Sequence, residues 1–187
     1  MNQQPPHFKY HPKAYELEVI EKIDIECECC GQARGWIYSG GIYTKDDVDN
    51  VCPWCIADGS AHRKWDASFN YDIEGVSTQG NPEIDGAAPD AVDEVLRRTP
   101  GYVSWQGSLW KTHCNDVCEF HGDISEKDLS SLTQESEQLF RQDHEWIFRD
   151  YNTLQNLVKD YTPKGHLSIY KFVCRHCGIV RLHADMD

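Results

Sequence analysis

Pairs of cysteines separated by two residues are the strongest chemical signal in this chain. Cys27 pairs in this way with Cys30, and Cys52 with Cys55. A C-x-x-C turn aims both sulfurs at one ion, and a second pair at this separation completes the four soft ligands that tetrahedral zinc requires. The sequence therefore predicts a structural zinc site formed by these four cysteines, with Cys29 as a spare thiol.

The second of these pairs has a competing interpretation. Cys52-Pro53-Trp54-Cys55 has the form of a redox dithiol at a helix N-terminus, where a thiolate is stabilised. A redox site would need only this one pair, however, and a matching pair lies upstream. The arrangement therefore favours metal binding over redox chemistry.

A third pair, Cys174 and Cys177, predicts a second zinc knuckle. Its partners would be Cys114 and Cys118, because residues four apart lie on one face of the short helix that we predict over 113–120. A histidine could substitute for a cysteine ligand, and the candidates are His113, His121, His176 and His183. The alternative is that Cys114 and Cys118 are small buried core residues.

Both predicted zinc sites are closed by four protein ligands, whereas a catalytic zinc keeps three ligands and an open position for water. The sequence also contains no Ser-His-Asp order, no glycine-rich phosphate loop and no H-E-x-x-H motif. We therefore expect a protein that is not an enzyme. A cavity lined by carboxylates with raised pKa values would favour an enzyme instead.

The elements that must position these cysteines are a mixture of strands and helices. Alternating apolar residues and turn signals predict strands at 16–19, 23–25, 35–38, 102–105, 109–110, 166–173 and 179–183. Apolar spacing and capping residues predict helices after Cys55 to about Lys64, over 89–98, from Ser125 and over 135–161. This pattern indicates an α+β fold, a small mixed antiparallel sheet with flanking helices, stapled by cysteine-rich zinc knuckles.

Changes in composition divide the 187 residues into three parts. Residues 1–65 form a zinc-ribbon-like N-terminal part, and residues 66–94 form a long acidic loop, over 66–88, and the start of a helix. Residues 95–187 form an α+β part that ends in the C-x-x-C hairpin. We expect the three parts to form one domain, because a chain of this length supports a single core.

The charge balance is strongly acidic, with 18 Lys and Arg against 31 Asp and Glu and a formal net charge of −13. Such a chain repels nucleic acid and anionic membrane surfaces, so neither is an expected partner. We see no apolar run long enough to span a membrane and no secretory signal, so we expect a cytoplasmic protein. A basic protein is the natural partner, although acidity can also serve solubility alone.

Several segments together resemble the CbrC family of bacterial proteins. They include Phe8-Lys9-Tyr10-His11-Pro12, the Cys27–Gly31 cluster, the string from Cys52 to Ser60, Arg98-Thr99-Pro100-Gly101, Trp105-Gln106, Trp110, His113-Cys114, Asp116, Cys118, Cys174-x-x-Cys177-Gly178 and His183. The similarity covers nearly the whole chain. It implies a link to tolerance of a colicin whose killing domain is a DNase, and it supplies no catalytic residues.

The resemblance and the charge together suggest an immunity-type protein that binds and blocks a bacterial nuclease toxin. A DNase presents a basic surface to phosphate, and an inhibitor can occupy that surface with Asp and Glu. The expected contact surfaces are the stretches 66–94 and 116–150. The candidate contact residues are Asp72, Glu74, Glu83, Asp85, Asp90, Asp93, Glu94, Asp116, Glu119 and Asp123. The main alternative is a zinc-stabilised adaptor or regulator with no toxin partner.

Overall fold

Short strands and helices succeed one another along the chain in the computed structural model, which describes residues 4–76 and 86–187. The strands are β1 (Ile20–Glu21), β2 (Ile37–Tyr38), β3 (Asp72–Ile73), β4 (Leu109–Trp110), β5 (Thr112–His113), β6 (Asp116–Val117), β7 (Glu119–Asp123), β8 (Leu167–Val173) and β9 (Val180–Met186). The helices are α1 (Pro53–Ala57), α2 (Ser60–Trp65), α3 (Pro89–Arg98), α4 (Glu126–Ser130), α5 (Gln134–Asp143), α6 (Glu145–Tyr151) and α7 (Leu154–Asp160).

The largest sheet is antiparallel and has the strand order β7-β8-β9. The β8–β9 hairpin is in regular register from Leu167 opposite Met186 to Val173 opposite Val180. The other strands form two-stranded pairs, of which β1–β2 and β5–β6 are antiparallel and β3–β4 is parallel. The predicted α+β class, with small antiparallel sheets and flanking helices, is therefore confirmed.

Three apolar clusters support the regions that carry the cysteines. The first is aromatic and centres on Trp110, Phe120 and Phe172, and it also contains Tyr102, whose ring stacks on Phe120 at 4.2 Å. The second surrounds Cys27, Cys52 and Cys55 and includes Phe8, Ile20, Tyr38, Val51, Ile56 and Phe69. The third packs α4–α7 against the last two strands through Ile124, Leu129, Phe140, Ile147, Leu157, Ile169 and Leu182.

The single helix predicted over 135–161 is wrong, because this region forms α5, α6 and α7. The chain leaves helical geometry at His144, whose Nε2 accepts a hydrogen bond from the Ala184 N–H, and again at Asn152, whose φ is 59°. Thr153 then caps α7 by accepting a hydrogen bond from the Asn156 N–H. Among the described residues, no helix is both long and apolar enough to cross a membrane.

The helix predicted over 113–120 is also wrong, because these residues belong to β5, β6 and β7. Cys114 and Asn115 connect the first two of these strands and have positive φ values of 53° and 56°. Two consecutive residues of this conformation form the tight hairpin turn that matches strand twist. Cys114 therefore lies at a turn, and the helical spacing from Cys114 to Cys118 does not apply.

Other predicted elements differ in detail. Helix α3 has the predicted bounds, whereas the helix predicted after Cys55 is interrupted at Gly59, whose φ is 73°. The predicted strands at 16–19 and 102–105 are turns and irregular backbone.

The acidic loop predicted over 66–88 is partly wrong, because its first residues are built into the fold. Asn70 is buried, its amide donates to the Val95 and Thr99 carbonyls, and its Oδ1 accepts from Trp110 Nε1 at 2.7 Å. Strand β3 then pairs with β4. Residues 77–85 lie outside the described residues.

Four charged side chains form an interior ring that joins distant parts of the chain. Lys111, whose side chain is 3% exposed, contacts the carboxylates of Glu74 and Asp143, and Arg181 donates to the same two carboxylates at 2.9 and 2.8 Å. Burial raises the pKa of Asp143, but hydrogen bonds and charges from Lys111 and Arg181 bring it below its usual value. The ring ties β9 and α5 to the chain beside β3 and β4.

We predict that Lys111→Met destabilises the fold. Lys111 is buried, whereas the side chains of Glu74 and Asp143 are 26% and 25% exposed, so removing this cation should cost about 1–3 kcal/mol, between the values for surface pairs and for fully buried pairs. Urea unfolding of the metal-loaded protein measures the loss. The control is Arg97→Ala, which removes an exposed partner of Asp93 and should cost less than about 1 kcal/mol. Similar losses in both variants would contradict an interior role for the ring.

Candidate metal centres

The first centre is formed by a turn before β2 and by the start of α1. Cys27 and Cys30 lie in the turn that the Gly31 N–H closes by donating to the Cys27 carbonyl at 2.7 Å. Cys52 is the residue before α1, and Pro53 occupies the first helical position, where its missing N–H is not needed. The Cys52 N–H donates to Cys27 Sγ at 3.2 Å, so the backbone itself joins the two pairs.

The four sulfurs of this centre fit one tetrahedral ion. The sulfurs of Cys27 and Cys55 are 3.9 Å apart, those of Cys30 and Cys52 are 3.9 Å apart, and those of Cys52 and Cys55 are 3.6 Å apart. All four lie within 4.8 Å of one another. Sulfurs bound about 2.3 Å from a tetrahedral zinc would lie about 3.8 Å apart. The structure thus brings together the four cysteines predicted for the first site, in a geometry that could hold a metal ion.

Without a cation, the electrostatics of this centre favour one ionised sulfur, that of Cys27. Hydrogen bonds from the Cys52 and Cys55 thiols and from the Cys52 N–H hold the pKa of Cys27 well below its usual range. The hydrogen bond to Cys27 raises the pKa of Cys52 to about 12 and also raises the pKa of Cys55, because a thiol must keep its proton in order to donate it. A bound cation would replace these protons and allow all four sulfurs to ionise.

Hydrogen bonds of Glu28 connect the Cys27–Cys30 turn to the segment before Cys52 and to α2. The exposed Glu28 carboxylate accepts hydrogen bonds from the Asp49 and Asn50 N–H groups, and Lys64 Nζ donates to the Glu28 carbonyl at 2.7 Å. The hydrogen bond from the Asn50 N–H is the main cause of a lowered Glu28 pKa. Cys29 lies outside the cluster, with its sulfur 3.7 Å from Ser60 Oγ.

The second centre joins the β5–β6 turn to the β8–β9 turn. Its possible ligands are His113, Cys114, Cys174 and Cys177, whose ligand atoms lie within 4.8 Å of one another. His113 Nδ1 is 3.2 Å from Cys114 Sγ and 3.3 Å from Cys177 Sγ, and these two sulfurs are 3.8 Å apart. A tetrahedral zinc with one nitrogen ligand would place nitrogen about 3.5 Å from each sulfur. This arrangement could also hold a metal ion.

Cys118 does not belong to the second centre, which corrects the predicted ligand set. Its side chain is fully buried in the aromatic cluster, and burial raises its pKa so that the thiol stays protonated. His113, one of the four histidines considered as substitutes, is the fourth member instead. A sequence signal for the hairpin existed, because Asn115 is a turn-forming residue and Thr112 and Val117 are strand formers, but this signal does not single out His113.

The two centres differ in exposure. Three sulfurs of the first centre are buried, whereas Cys114 and Cys177 of the second centre are exposed and only Cys174 is buried. Burial raises the pKa of Cys174, but the N–H groups of Cys177 and His176, together with nearby hydrogen bonds, bring it down to about 6. Cys174 is therefore the sulfur of the second centre most inclined to ionise first.

A buried carboxylate holds the second knuckle against the rest of the fold. Asp116 accepts a hydrogen bond from the Tyr10 hydroxyl at 2.7 Å, and its other oxygen lies 3.0 Å from His176 Nε2 and 3.4 Å from an Arg175 nitrogen. Burial raises the pKa of Asp116, but the hydrogen bonds from Tyr10 and His176 bring it below its usual value. Asp116 was predicted to contact a partner, and this expectation is wrong because its carboxylate is enclosed.

The other residues predicted to contact a partner differ in exposure and in the ion pairs that they form within the chain. Asp72 and Asp90 are exposed, whereas the Glu74 side chain is 26% exposed and its carboxylate is bonded to Lys111 and Arg181 in the interior ring. Three more are partly exposed and form ion pairs within the chain: Asp93 with Arg97, Glu94 with Lys9 and Glu119 with Arg175. Asp123 lines a cavity. Glu83 and Asp85 lie outside the described residues.

Fold and sites together define a small α+β protein with two clusters that could each hold a metal ion. The model of the uncharacterised protein family UPF0167 matches residues 5–186. The chain belongs to this family.

Relatives of similar length support this membership. UPF0167 protein PA1536 of Pseudomonas aeruginosa is 42% identical over 190 residues, which cover 100% of this chain and 99% of that protein. UPF0167 protein Mb2317 of Mycobacterium bovis is 30% identical over 184 residues, which cover 98% of this chain and 94% of that protein. No solved structure matches the chain.

We predict that the second centre uses Cys114 and not Cys118. Elemental analysis of protein prepared with zinc should find two ions in the parent chain and in Cys118→Ala, but one in Cys114→Ser. The physical reason is that the Cys118 thiol lies in the core, away from the cluster. Loss of an ion in Cys118→Ala, with two retained in Cys114→Ser, would contradict this assignment.

We also predict that the two ions leave at different rates. A colorimetric chelator should remove zinc in two phases of about equal amplitude, because the second centre exposes two sulfurs and the first exposes none of its sulfurs fully. Cys114→Ser should abolish the fast phase and leave the slow one unchanged. Release of both ions in one phase would show that exposure does not control the rate.

Proposed function

We propose that this protein is a non-catalytic, cytoplasmic binding protein held in shape by two structural zinc ions. The observation that carries the proposal is the presence of two clusters that each offer four ligands at tetrahedral spacing. Thiolate and imidazole are ligands that zinc prefers, and a site closed by four protein ligands is typical of structural zinc. A fully ligated ion leaves no position for an attacking water.

The partner that we propose is a basic protein, specifically a bacterial nuclease toxin that this protein blocks in the manner of an immunity protein. The resemblance to the CbrC family supports this proposal, and membership of an uncharacterised family is compatible with it. The net charge of −13 supports it as well. A nuclease must present cations to phosphate, and a protein with many carboxylates can occupy the same surface.

The exposed carboxylates around the first centre are the best candidates for this contact. They flank the Cys27–Cys30 turn and the approach to Cys52, and they are Glu21, Asp24, Glu26, Glu28, Asp46, Asp47 and Asp49. Some acids elsewhere form ion pairs within the chain, as Glu137 does with Arg141 and Asp128 with Lys171. Acids near a rigid metal centre are also ordered before binding, which lowers the entropy lost on association.

The proposal is tested by calorimetric titration of the zinc-loaded protein against a panel of catalytically inactive bacterial nuclease toxins. We expect tight binding to at least one toxin, and inhibition of plasmid cleavage by the active form of that toxin at equal stoichiometry. No binding to any toxin would contradict the immunity proposal and would favour a zinc-stabilised adaptor whose acidity serves solubility.

Charge reversal then tests the surface. The triple variant Asp46→Lys, Asp47→Lys, Asp49→Lys should weaken toxin binding by at least about tenfold at low salt, because close charge pairs in nuclease complexes contribute about 1.5–7 kcal/mol. The control Glu135→Lys, Glu145→Lys, Asp150→Lys changes net charge equally at exposed positions on α5 and α6. Equal effects of the two variants would contradict the proposed surface, because binding would then depend on total charge or extend to the stretch 116–150, in which the control positions lie.

A further inference from the structure

A cavity of about 280 Å³ lies between strands β7 and β8 and the segment that follows Gly101. Its walls include four aromatic rings, those of Tyr102, Trp105, Phe120 and Tyr170. This cavity shares no lining residue with either metal centre. Concave, largely apolar cavities with a few polar groups are the usual form of small-molecule sites.

The aromatic walls are held in place by packing and by one hydrogen bond at the mouth. Tyr102 stacks on Phe120 at 4.2 Å, and its centroid is 5.1 Å from that of Tyr170. Trp105 is 58% exposed, and its indole N–H donates to Ser168 Oγ at 3.2 Å. A large aromatic ring that is exposed beside an apolar cavity is a feature of interaction sites.

One carboxylate lines this cavity, a second lies behind the backbone of its Trp105 wall, and neither forms an ion pair with a side chain of the described residues. Asp123 lines the cavity and accepts a hydrogen bond from the Lys164 backbone N–H at 3.3 Å, while the Lys164 side chain is exposed. Burial raises the pKa of Asp123. Asp185 is 3% exposed and accepts at Oδ2 from the Trp105 and Gln106 N–H groups, whereas its buried Oδ1 has no partner in the described structure.

We infer that this cavity binds a small organic cation, an ammonium group carried on an apolar body. Aromatic faces attract such cations through the ring quadrupole, most strongly where water is excluded. The Asp123 carboxylate lies in the same cavity, and a bound cation would favour its ionised form against the effect of burial. Asp185 lies behind the Trp105 backbone, from whose N–H it accepts a hydrogen bond. A bound ammonium would compensate charge that burial otherwise leaves unpaired.

Other ligand classes fit the cavity less well. A neutral apolar ligand would desolvate Asp123 further without supplying a hydrogen bond or an opposite charge. An anion would meet the same carboxylate, and only the exposed Lys164 side chain at the rim would attract it. This inference rests on the cavity alone and does not depend on zinc or on a toxin partner.

The test compares choline with 3,3-dimethylbutan-1-ol, which has the same shape with carbon in place of the charged nitrogen. Titration of the zinc-loaded protein, followed by NMR chemical shifts and calorimetry, should give saturable binding of choline at least about tenfold tighter than that of the alcohol. Shifts should be largest for the indole N–H of Trp105. Equal affinity for the two compounds, or no saturable binding of choline at millimolar concentration, would overturn the inference.

Substitutions locate the binding. Asp123→Asn keeps the shape of the side chain and should weaken choline by at least about tenfold while leaving the alcohol unchanged. Trp105→Ala removes an exposed ring and should weaken choline without unfolding the protein. The matched control is Asp72→Asn, which neutralises an exposed carboxylate on β3. Unchanged choline affinity in Asp123→Asn, or an equal loss in Asp72→Asn, would assign the effect to general charge and not to this cavity.

Discussion

The close approach of sulfur atoms from separate turns is the interaction that connects the short elements of this structure. Each ligand cluster gathers its atoms within 4.8 Å, a spacing at which thiolates would repel one another unless a cation lay between them. Strands β1 to β6 have two residues each, so they form few hydrogen bonds of their own. The first cluster joins the Cys27–Cys30 turn to α1, and the second joins two hairpin turns. Metal cross-links of this kind contribute directly to folding free energy.

Contacts within the fold occupy some carboxylates and leave others exposed. Glu74 and Asp143 neutralise Lys111 and Arg181, and Asp116 positions the second knuckle. These carboxylates form contacts within the fold, whereas Glu21, Asp24 and Glu26 beside the first centre are exposed. The acids therefore fall into two groups, and counting charges in the sequence does not distinguish them.

The features that could be predicted from the sequence depend on residues close together in the chain. The C-x-x-C pairs, helix α3 and the β8–β9 hairpin follow from spacing, a helix-starting proline and alternation over a few residues. His113 could not be selected from four histidines, because its role depends on two turns 60 residues apart in sequence meeting in space. The regular apolar spacing from Phe140 to Tyr161 predicted one helix, but it did not show that the backbone leaves helical geometry at His144 and Asn152. Asp116 was misplaced for the same reason, since Tyr10 and His176 are distant in sequence.

The separation of ligands along the chain would set the order in which the two centres can form during synthesis. All possible ligands of the first centre lie between Cys27 and Cys55, so this centre could take up an ion soon after Cys55 leaves the ribosome. The second centre would have to wait for Cys177, which is made far later than His113 and Cys114. A nascent chain would then carry two of the four ligands until the C-terminal hairpin brings Cys174 and Cys177 to them.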